Sequence, residues 1–186
     1  GDDLSMYFAN NKGLLTYNGA RWKLYKSPNS SILRSVKVIG NKIYTGSYMN
    51  FGYWQKNEFG DLIYTSLSDI ETLSLAEDEE FWNIIDRWIL FQSLDRIYIY
   101  DTESNSFNII ESKTTITKIY KVNKSIYFQK INQGIFRFDD GKETLVTKDK
   151  LLKDRIVVNM FEIDKQLLFQ TKEYGLFLMN TDNSIK

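Results

Sequence analysis

Apolar residues along this chain fall in short clusters separated by polar turns, never in long helical stripes. The stretch Ser125-Ile-Tyr-Phe-Gln-Lys-Ile-Asn-Gln-Gly-Ile-Phe-Arg-Phe-Asp139 reads as two short strands around a polar turn. The same arrangement recurs as Ser5–Tyr17, Lys42–Trp54, Trp88–Tyr100 and Gln166–Met179, giving five copies. Tyr7, Tyr44, Leu90, Tyr127 and Leu168 occupy equivalent positions, 37 to 46 residues apart. Repeats of roughly 40–50 residues built only from short strands are the mark of a propeller. The expected fold is therefore all-β: a β-propeller of four-stranded antiparallel blades, with four to five blades present as a fragment of a larger propeller.

The turns reinforce the repeat. Gly40-Asn41, Asp86-Arg87, Asn123-Lys124 and Asp164-Lys165 each precede the second strand of a unit. Asn, Asp and Gly tolerate the left-handed backbone a tight turn needs. Asn18-Gly19 reads as a two-residue hairpin turn, and Asp139-Asp140-Gly141 as another. The blades predicted on this basis span residues 4–25, 32–67, 80–111, 115–148 and 156–179. The first lacks an opening strand and the last a closing one. All five belong to one propeller domain, or part of one, over residues 1–186. Opening strands are expected at Leu33–Ile39, Phe81–Ile85, Ile116–Val122 and Val157–Ile163. Within blades, Ile126-Tyr127-Phe128, Ile89-Leu90-Phe91 and Gly175–Met179 are nearly continuous apolar runs. Such runs imply burial on both faces of a sheet, which packing between neighbouring blades supplies. Asp69–Glu80 is the one long irregular stretch, suited to a short helix, a lid or a partner contact.

Composition narrows the chemistry. Tyr 12, Phe 12 and Trp 4 among 186 residues favour strands. Lys+Arg and Asp+Glu are both 24, so a neutral chain has no general attraction for nucleic acid or an acidic membrane. Cys and His are both 0, which removes disulfides, thiolate metal sites and His-based catalytic triads; a carboxylate-only site is the remaining catalytic option. No apolar run is long enough to span a membrane. The start, Gly1-Asp2-Asp3 running directly into a strand, reads as a tag remnant on a piece cut from something longer. No cofactor is expected.

Candidate binding residues sit in loops and on opening strands. Glu77-Asp78-Glu79-Glu80 lacks the spaced ligand pattern of a calcium loop and reads as a solvated acidic loop. Tyr44, Tyr53 and Trp54 have strand spacing and read as core, while Tyr48 and Phe51, in or beside a loop, are balanced between core and ligand platform. The Phe-Gln pairs at 91–92, 128–129 and 169–170 read as structural, each Gln bonding a neighbouring loop. Arg34 either meets a ligand or pairs with Glu80, which holds the corresponding place one repeat on.

Tyr17-Asn18-Gly19-Ala20-Arg21-Trp22, Pro28-Asn29 and Arg34-Ser35, followed by Gly40–Trp54 and Leu62–Asp69, resemble the amino-terminal propeller of large bacterial membrane-spanning regulators. In that family a periplasmic two-component-regulator propeller precedes a three-tyrosine (Y_Y_Y) immunoglobulin-like domain, a membrane helix and a cytoplasmic output module. The Tyr-Asn-Gly…Arg-Trp string points to the LuxR-type helix-turn-helix branch over the hybrid histidine kinase branch. The resemblance implies a periplasmic sensor module for signal transduction and transcriptional regulation, with the Y_Y_Y domain as its downstream partner and an unidentified ligand, a glycan being one candidate.

Two functions follow. The first is a non-catalytic sensor that binds a ligand or partner. The second is a carbohydrate-active propeller cleaving glycosides with paired carboxylates. In a propeller, loops joining second to third strands share a face with the loops between blades. That face carries Asn10, Asn11, Tyr48, Asn50, Phe51, Asp95, Asn132, Lys172 and Glu173, and the ligand site is expected at Arg34, Tyr48, Asn50, Phe51, Asn132, Lys172 and Glu173. Apolar residues of the terminal blades, such as Leu176 and Leu178, are expected to be bare, which favours a homodimer or tight closure.

Overall fold

The computed structural model describes residues 4–70, 73–86, 89–139, 141–180 and 184–186. The expected turn at Asp86-Arg87 and the Asp140 corner fall partly outside those residues, as does part of the Asp69–Glu80 loop. Among the described residues, eighteen strands form five sheets, each a meander in chain order. The first holds β1 (Met6–Asn10), β2 (Gly13–Tyr17) and β3 (Trp22–Lys26); the second, β4 (Ser35–Ile39), β5 (Lys42–Gly46), β6 (Phe51–Lys56) and β7 (Leu62–Ser66). The third holds β8 (Asn83–Asp86), β9 (Ile89–Gln92), β10 (Arg96–Asp101) and β11 (Ser106–Glu111). The fourth holds β12 (Ile116–Val122), β13 (Ser125–Lys130), β14 (Gly134–Asp139) and β15 (Lys142–Thr147), and the fifth β16 (Val157–Ile163), β17 (Gln166–Thr171) and β18 (Gly175–Met179). This is the all-β, bladed architecture that the repeats predict. Two compact units divide the chain, residues 1–93 with 98–107 and residues 94–97 with 108–186, and the boundary runs through the third sheet.

Local sequence explains the strand ends. Asn123, Asp164 and Gly40 take positive φ at the turns where the repeat requires it. Gly13 and Gly134 open equivalent strands with φ of 137° and 124°, and a Cβ there would lie 2.1 Å from the Tyr25 carbonyl oxygen and 2.2 Å from that of Thr147. Only glycine fits such a position. The opening strands β4 and β8 start two residues later than expected, at Ser35 and Asn83, while β12 and β16 have the expected bounds. The Arg34 N–H donates to the Gly46 carbonyl at 2.8 Å, and the Phe81 N–H to that of Ser47 at 3.1 Å.

Four expectations are corrected. Asn18-Gly19 is not a two-residue turn: the loop runs from Asn18 to Arg21, and the Asn18 Oδ1 accepts from the Ala20 and Arg21 N–H groups at 3.1 and 2.8 Å. The side chain, not a left-handed Asn backbone, closes the loop. No helix forms among the described residues of 69–80. The one-turn helix α1 (Lys150–Lys153) lies instead between the fourth and fifth sheets in sequence, capped by Asp149, whose Oδ1 accepts from the Leu151 N–H at 2.8 Å. The fifth sheet gains the start of a fourth strand, because Lys186 and Leu178 exchange backbone hydrogen bonds of 3.1 and 2.8 Å. Finally, Gly175–Met179 is not covered on both faces: Leu176 is 61% exposed, while Leu178, also expected to be bare, is half-buried.

Burial follows the apolar runs elsewhere. β9 is buried along its whole length and β13 nearly so. In the first unit Leu14, Leu33, Ile43, Trp54 and Leu62 form one core cluster. In the second, Tyr120, Ile135, Leu152, Val157 and Phe169 belong to another. Fully burying one such large side chain stabilises by about 1.5–3 kcal/mol, so each cluster is a substantial favourable term.

Candidate functional site

The expected site residues separate into two groups, one in each unit. In the first unit, Arg34 pairs with Glu80: Nη2 lies 2.7 Å and Nε 3.2 Å from Oε1. The guanidinium also lies over the Trp82 ring at 4.8 Å. Tyr48 is exposed and its hydroxyl donates to the Asp78 carboxylate at 2.6 Å. That hydrogen bond, followed by the Asp78 charge, raises the phenol above its ordinary range. A backbone bridge joins Tyr48 to Glu80, so Arg34, Tyr48, Asp78, Glu80 and the half-exposed Trp82 form one polar-aromatic cluster.

Phe51 belongs to a different environment. It is fully buried, stacked on Phe91 at 4.2 Å and edge-on to Phe81 at 4.6 Å. Its place at the start of β6 turns it into the core, and the expectation of a ligand platform there is corrected. Asn50 is engaged by its own protein: Nδ2 donates to the Ser66 and Ser68 hydroxyls at 3.2 and 2.9 Å, and Oδ1 accepts from the Tyr64 hydroxyl at 2.6 Å. It braces the loop that carries Tyr48.

The acidic run is also not uniformly solvated. Glu77 and Asp78 are exposed, but Glu79 is only 4% exposed. The Glu79 carboxylate accepts from the Ser93 hydroxyl (2.7 Å), the Tyr98 hydroxyl (2.5 Å) and the Ala76 N–H (3.1 Å). A buried carboxylate persists only with such donors. It anchors the long loop and positions Asp78 and Glu80 on either side. Among the described residues, no group of three acidic side chains is arranged to hold a metal ion.

In the second unit, Lys172 and Glu173 line a recess of about 150 Å3 with Asp154, Arg155, Ile156 and Tyr174. The Lys172 N–H donates to the Ile156 carbonyl at 2.9 Å, and the Tyr174 N–H to the Thr171 hydroxyl at 3.2 Å. Arg155 lies over the Tyr174 ring at 4.2 Å and the Phe177 ring at 5.1 Å. Asn132, exposed in the β13–β14 turn, donates its N–H to the Lys153 carbonyl at 3.1 Å, beside Asp154.

Gln129 holds this recess from below. It is fully buried; its Nε2 donates to the Leu152 and Arg155 carbonyls at 3.0 and 2.7 Å, and its Oε1 accepts from the Val157 N–H at 2.9 Å and the Thr117 hydroxyl at 3.2 Å. All four hydrogen-bonding capacities are used. Sequence reading did not single out Asp154, Arg155, Tyr174 or Trp82. Arg155 lies in a link outside the repeats, and no spacing signals that its guanidinium will stack.

No protein-family model matches the chain, and no curated protein matches it. Solved structures do. The chain is similar to the extracellular domain of BT4673 from B. thetaiotaomicron, named in one structure as a hybrid two-component system and in another as a one-component system. Those two matches have TM-scores of 0.68 and 0.64 at 13% and 17% identity, covering 94% and 98% of this chain. They cover 25% and 26% of those chains. AztD from Citrobacter koseri matches with a TM-score of 0.62 at 14% identity, over 96% of this chain and 52% of that one. The chain therefore spans between a quarter and about half of these relatives. At such identities the likeness establishes the fold, a propeller, and no more.

Proposed function

We propose that this chain is an extracytoplasmic ligand- or partner-binding propeller module of a bacterial signal-transduction protein, periplasmic and without catalysis of its own. The observation that carries the reading is the second unit's recess. Its walls combine two cations, two carboxylates and an aromatic ring on loops that Gln129 holds rigid, which is the chemistry of a polar-ligand pocket. The likeness in fold to an extracellular domain of a two-component system supports the signalling context. So does the Tyr17–Ser35 string, which favours a LuxR-type output and a Y_Y_Y domain further along the parent protein. The bare apolar faces of the first and fifth sheets suit contact with further protein, a second copy included.

Calorimetric titration with cello-, malto-, xylo- and manno-oligosaccharides tests the ligand role. One of these classes is expected to bind, and Arg155→Ala with Lys172→Ala to weaken it tenfold or more. Absence of binding across the panel, or unchanged affinity in the double variant, overturns it.

A second reading has one observation in its favour: Asp154 and Glu173 line the same recess, and paired carboxylates can cleave glycosides. Release of chromophore from aryl glycosides, abolished by Asp154→Asn, would establish the enzyme in place of the sensor.

A further inference from the structure

The recess of the second unit holds a cation whose hydrogen-bonding capacity is not spent within the protein. Arg34, Arg96 and Arg137 each pair with an acid: Glu80, Glu111 and Asp139. Arg155 is half-buried and lies instead over the Tyr174 and Phe177 rings, at 4.2 and 5.1 Å. A ring attracts the cation but does not occupy its N–H donors as a carboxylate does. Among the described residues, no acidic side chain pairs with this guanidinium. The backbone of Arg155 is fixed on both sides. Its N–H donates to the Leu152 carbonyl at 3.2 Å, and its carbonyl accepts from the Gln129 Nε2 at 2.7 Å.

The surroundings narrow what those donors can meet. Lys172 brings a second cation to the recess, while Asp154 and Glu173 bring two carboxylates; all three are exposed. The Lys172 N–H bond to the Ile156 carbonyl ties the β17–β18 turn to the residue after Arg155. A bare anion is drawn to the two cations and repelled by the two carboxylates. A molecule that carries an anionic group beside several hydroxyls satisfies all four, because a carboxylate is acceptor-only and takes hydroxyl donors. The volume is about 150 Å3. That is below the roughly 300 Å3 at which pockets for drug-sized ligands begin, and it suits a single sugar residue.

We propose that the recess selects a uronate, a sugar acid at the end or on a branch of a glycan. This rests on the ligand-binding reading above and names the class of ligand. The Arg155 fork pairs with the uronate carboxylate, Lys172 adds its charge, and Asp154 and Glu173 accept from ring hydroxyls. A guanidinium already held by aromatic contacts and a fixed backbone loses little freedom on engaging the ligand, which favours affinity.

Calorimetry on two matched pairs tests this: xylo-oligosaccharides with and without a glucuronate branch, and mannuronate oligosaccharides against manno-oligosaccharides. Inorganic phosphate serves as competitor. In at least one pair the acid is expected to bind at least tenfold more tightly than its neutral counterpart, and to lose that advantage as salt is added. Phosphate is expected not to displace it. Arg155→Gln should bring the two members of the pair to within threefold of each other. Because Arg155 also packs on two rings, Lys172→Gln at an exposed position is the second variant. It is expected to reduce the preference at least threefold with an unchanged urea midpoint. Equal binding of acid and neutral glycans, displacement by phosphate, or a preference that survives both substitutions overturns the uronate assignment and leaves the ligand-binding reading standing. Absence of binding by all four glycans overturns both.

Discussion

Glu79 in the first unit and Gln129 in the second perform the same mechanical task with different chemistry. Each is a long polar side chain, almost or fully buried, that ties a loop to sheet residues. Glu79 meets only donors: two hydroxyls and a backbone N–H. Gln129 meets two carbonyls on one side, and a backbone N–H and a hydroxyl on the other. A carboxylate is acceptor-only, whereas an amide offers both functions. The residue type is therefore set by the donor–acceptor balance of the partners and not by the depth of burial. The two loops inherit different properties from this: one rests on a buried carboxylate and the other on a neutral amide hub.

Exchanging the chemistry at the neutral hub has the largest expected effect. Gln129→Glu puts an acceptor-only oxygen against the Leu152 and Arg155 carbonyls and buries a charge with no cation beside it. A loss of about 3–5 kcal/mol in urea unfolding is expected. Protonation lets the carboxyl donate to one carbonyl, so its pKa in the folded state is raised. Stability from that protonated form is complete below the unfolded carboxylate range and is lost as pH rises. The deficit relative to wild type should therefore shrink on acidification. A variant as stable as wild type at neutral pH would show that Gln129 is not the hub described.

The reverse exchange should be milder. In Glu79→Gln the amide oxygen can still accept from Tyr98 and Ala76, and the Ser93 hydroxyl can rotate to accept from the new NH2. About 1–2 kcal/mol should be lost, the cost of imperfectly matched hydrogen bonds. Denaturant midpoints of the two variants, compared directly, decide the order. If Glu79→Gln cost more than Gln129→Glu, the donor–acceptor account of the comparison would fail.

These two residues also mark what the sequence discloses. The sheets were legible because their signals are local: apolar runs, turn residues and a repeat that can be counted. The Phe-Gln pairs pointed to Gln129 as a loop anchor, and the repeat register paired Arg34 with Glu80. Glu79 was not legible. Within Glu77-Asp78-Glu79-Glu80, which acid turns inward depends on Ser93 and Tyr98, which arrive from later strands. Phe51 could not be assigned to the core from sequence for a similar reason, since its partner Phe91 comes from another sheet. Lys172 and Glu173 could be assigned to an exposed loop, but the Arg155–Tyr174 stack that shapes their recess is a tertiary product of residues nineteen apart in sequence. Local pattern yields strands and loops; the chemistry of a site depends on which loops meet.

The smallest expected effect lies beside the Gln129 hub and separates loop anchoring from general core stability. Tyr120 is buried, and its hydroxyl donates to the Val157 carbonyl at 2.6 Å, while the Val157 N–H serves Gln129. One residue is thus gripped from both of its backbone groups. Tyr120→Phe removes one neutral hydrogen bond and should cost about 1 kcal/mol at neutral pH. Burial pushes the Tyr120 phenol up to about 12, against about 10 in an unfolded chain. The folded state thus favours the protonated phenol. Its contribution is complete below about pH 10 and is lost as pH rises through about 12. Wild type should therefore lose more stability than Tyr120→Phe between those limits, narrowing the gap between the two proteins. Urea midpoints collected at neutral pH and again near pH 11 measure this. Parallel decline of the two proteins would mean that the phenol titrates freely and that Val157 is held by Gln129 alone.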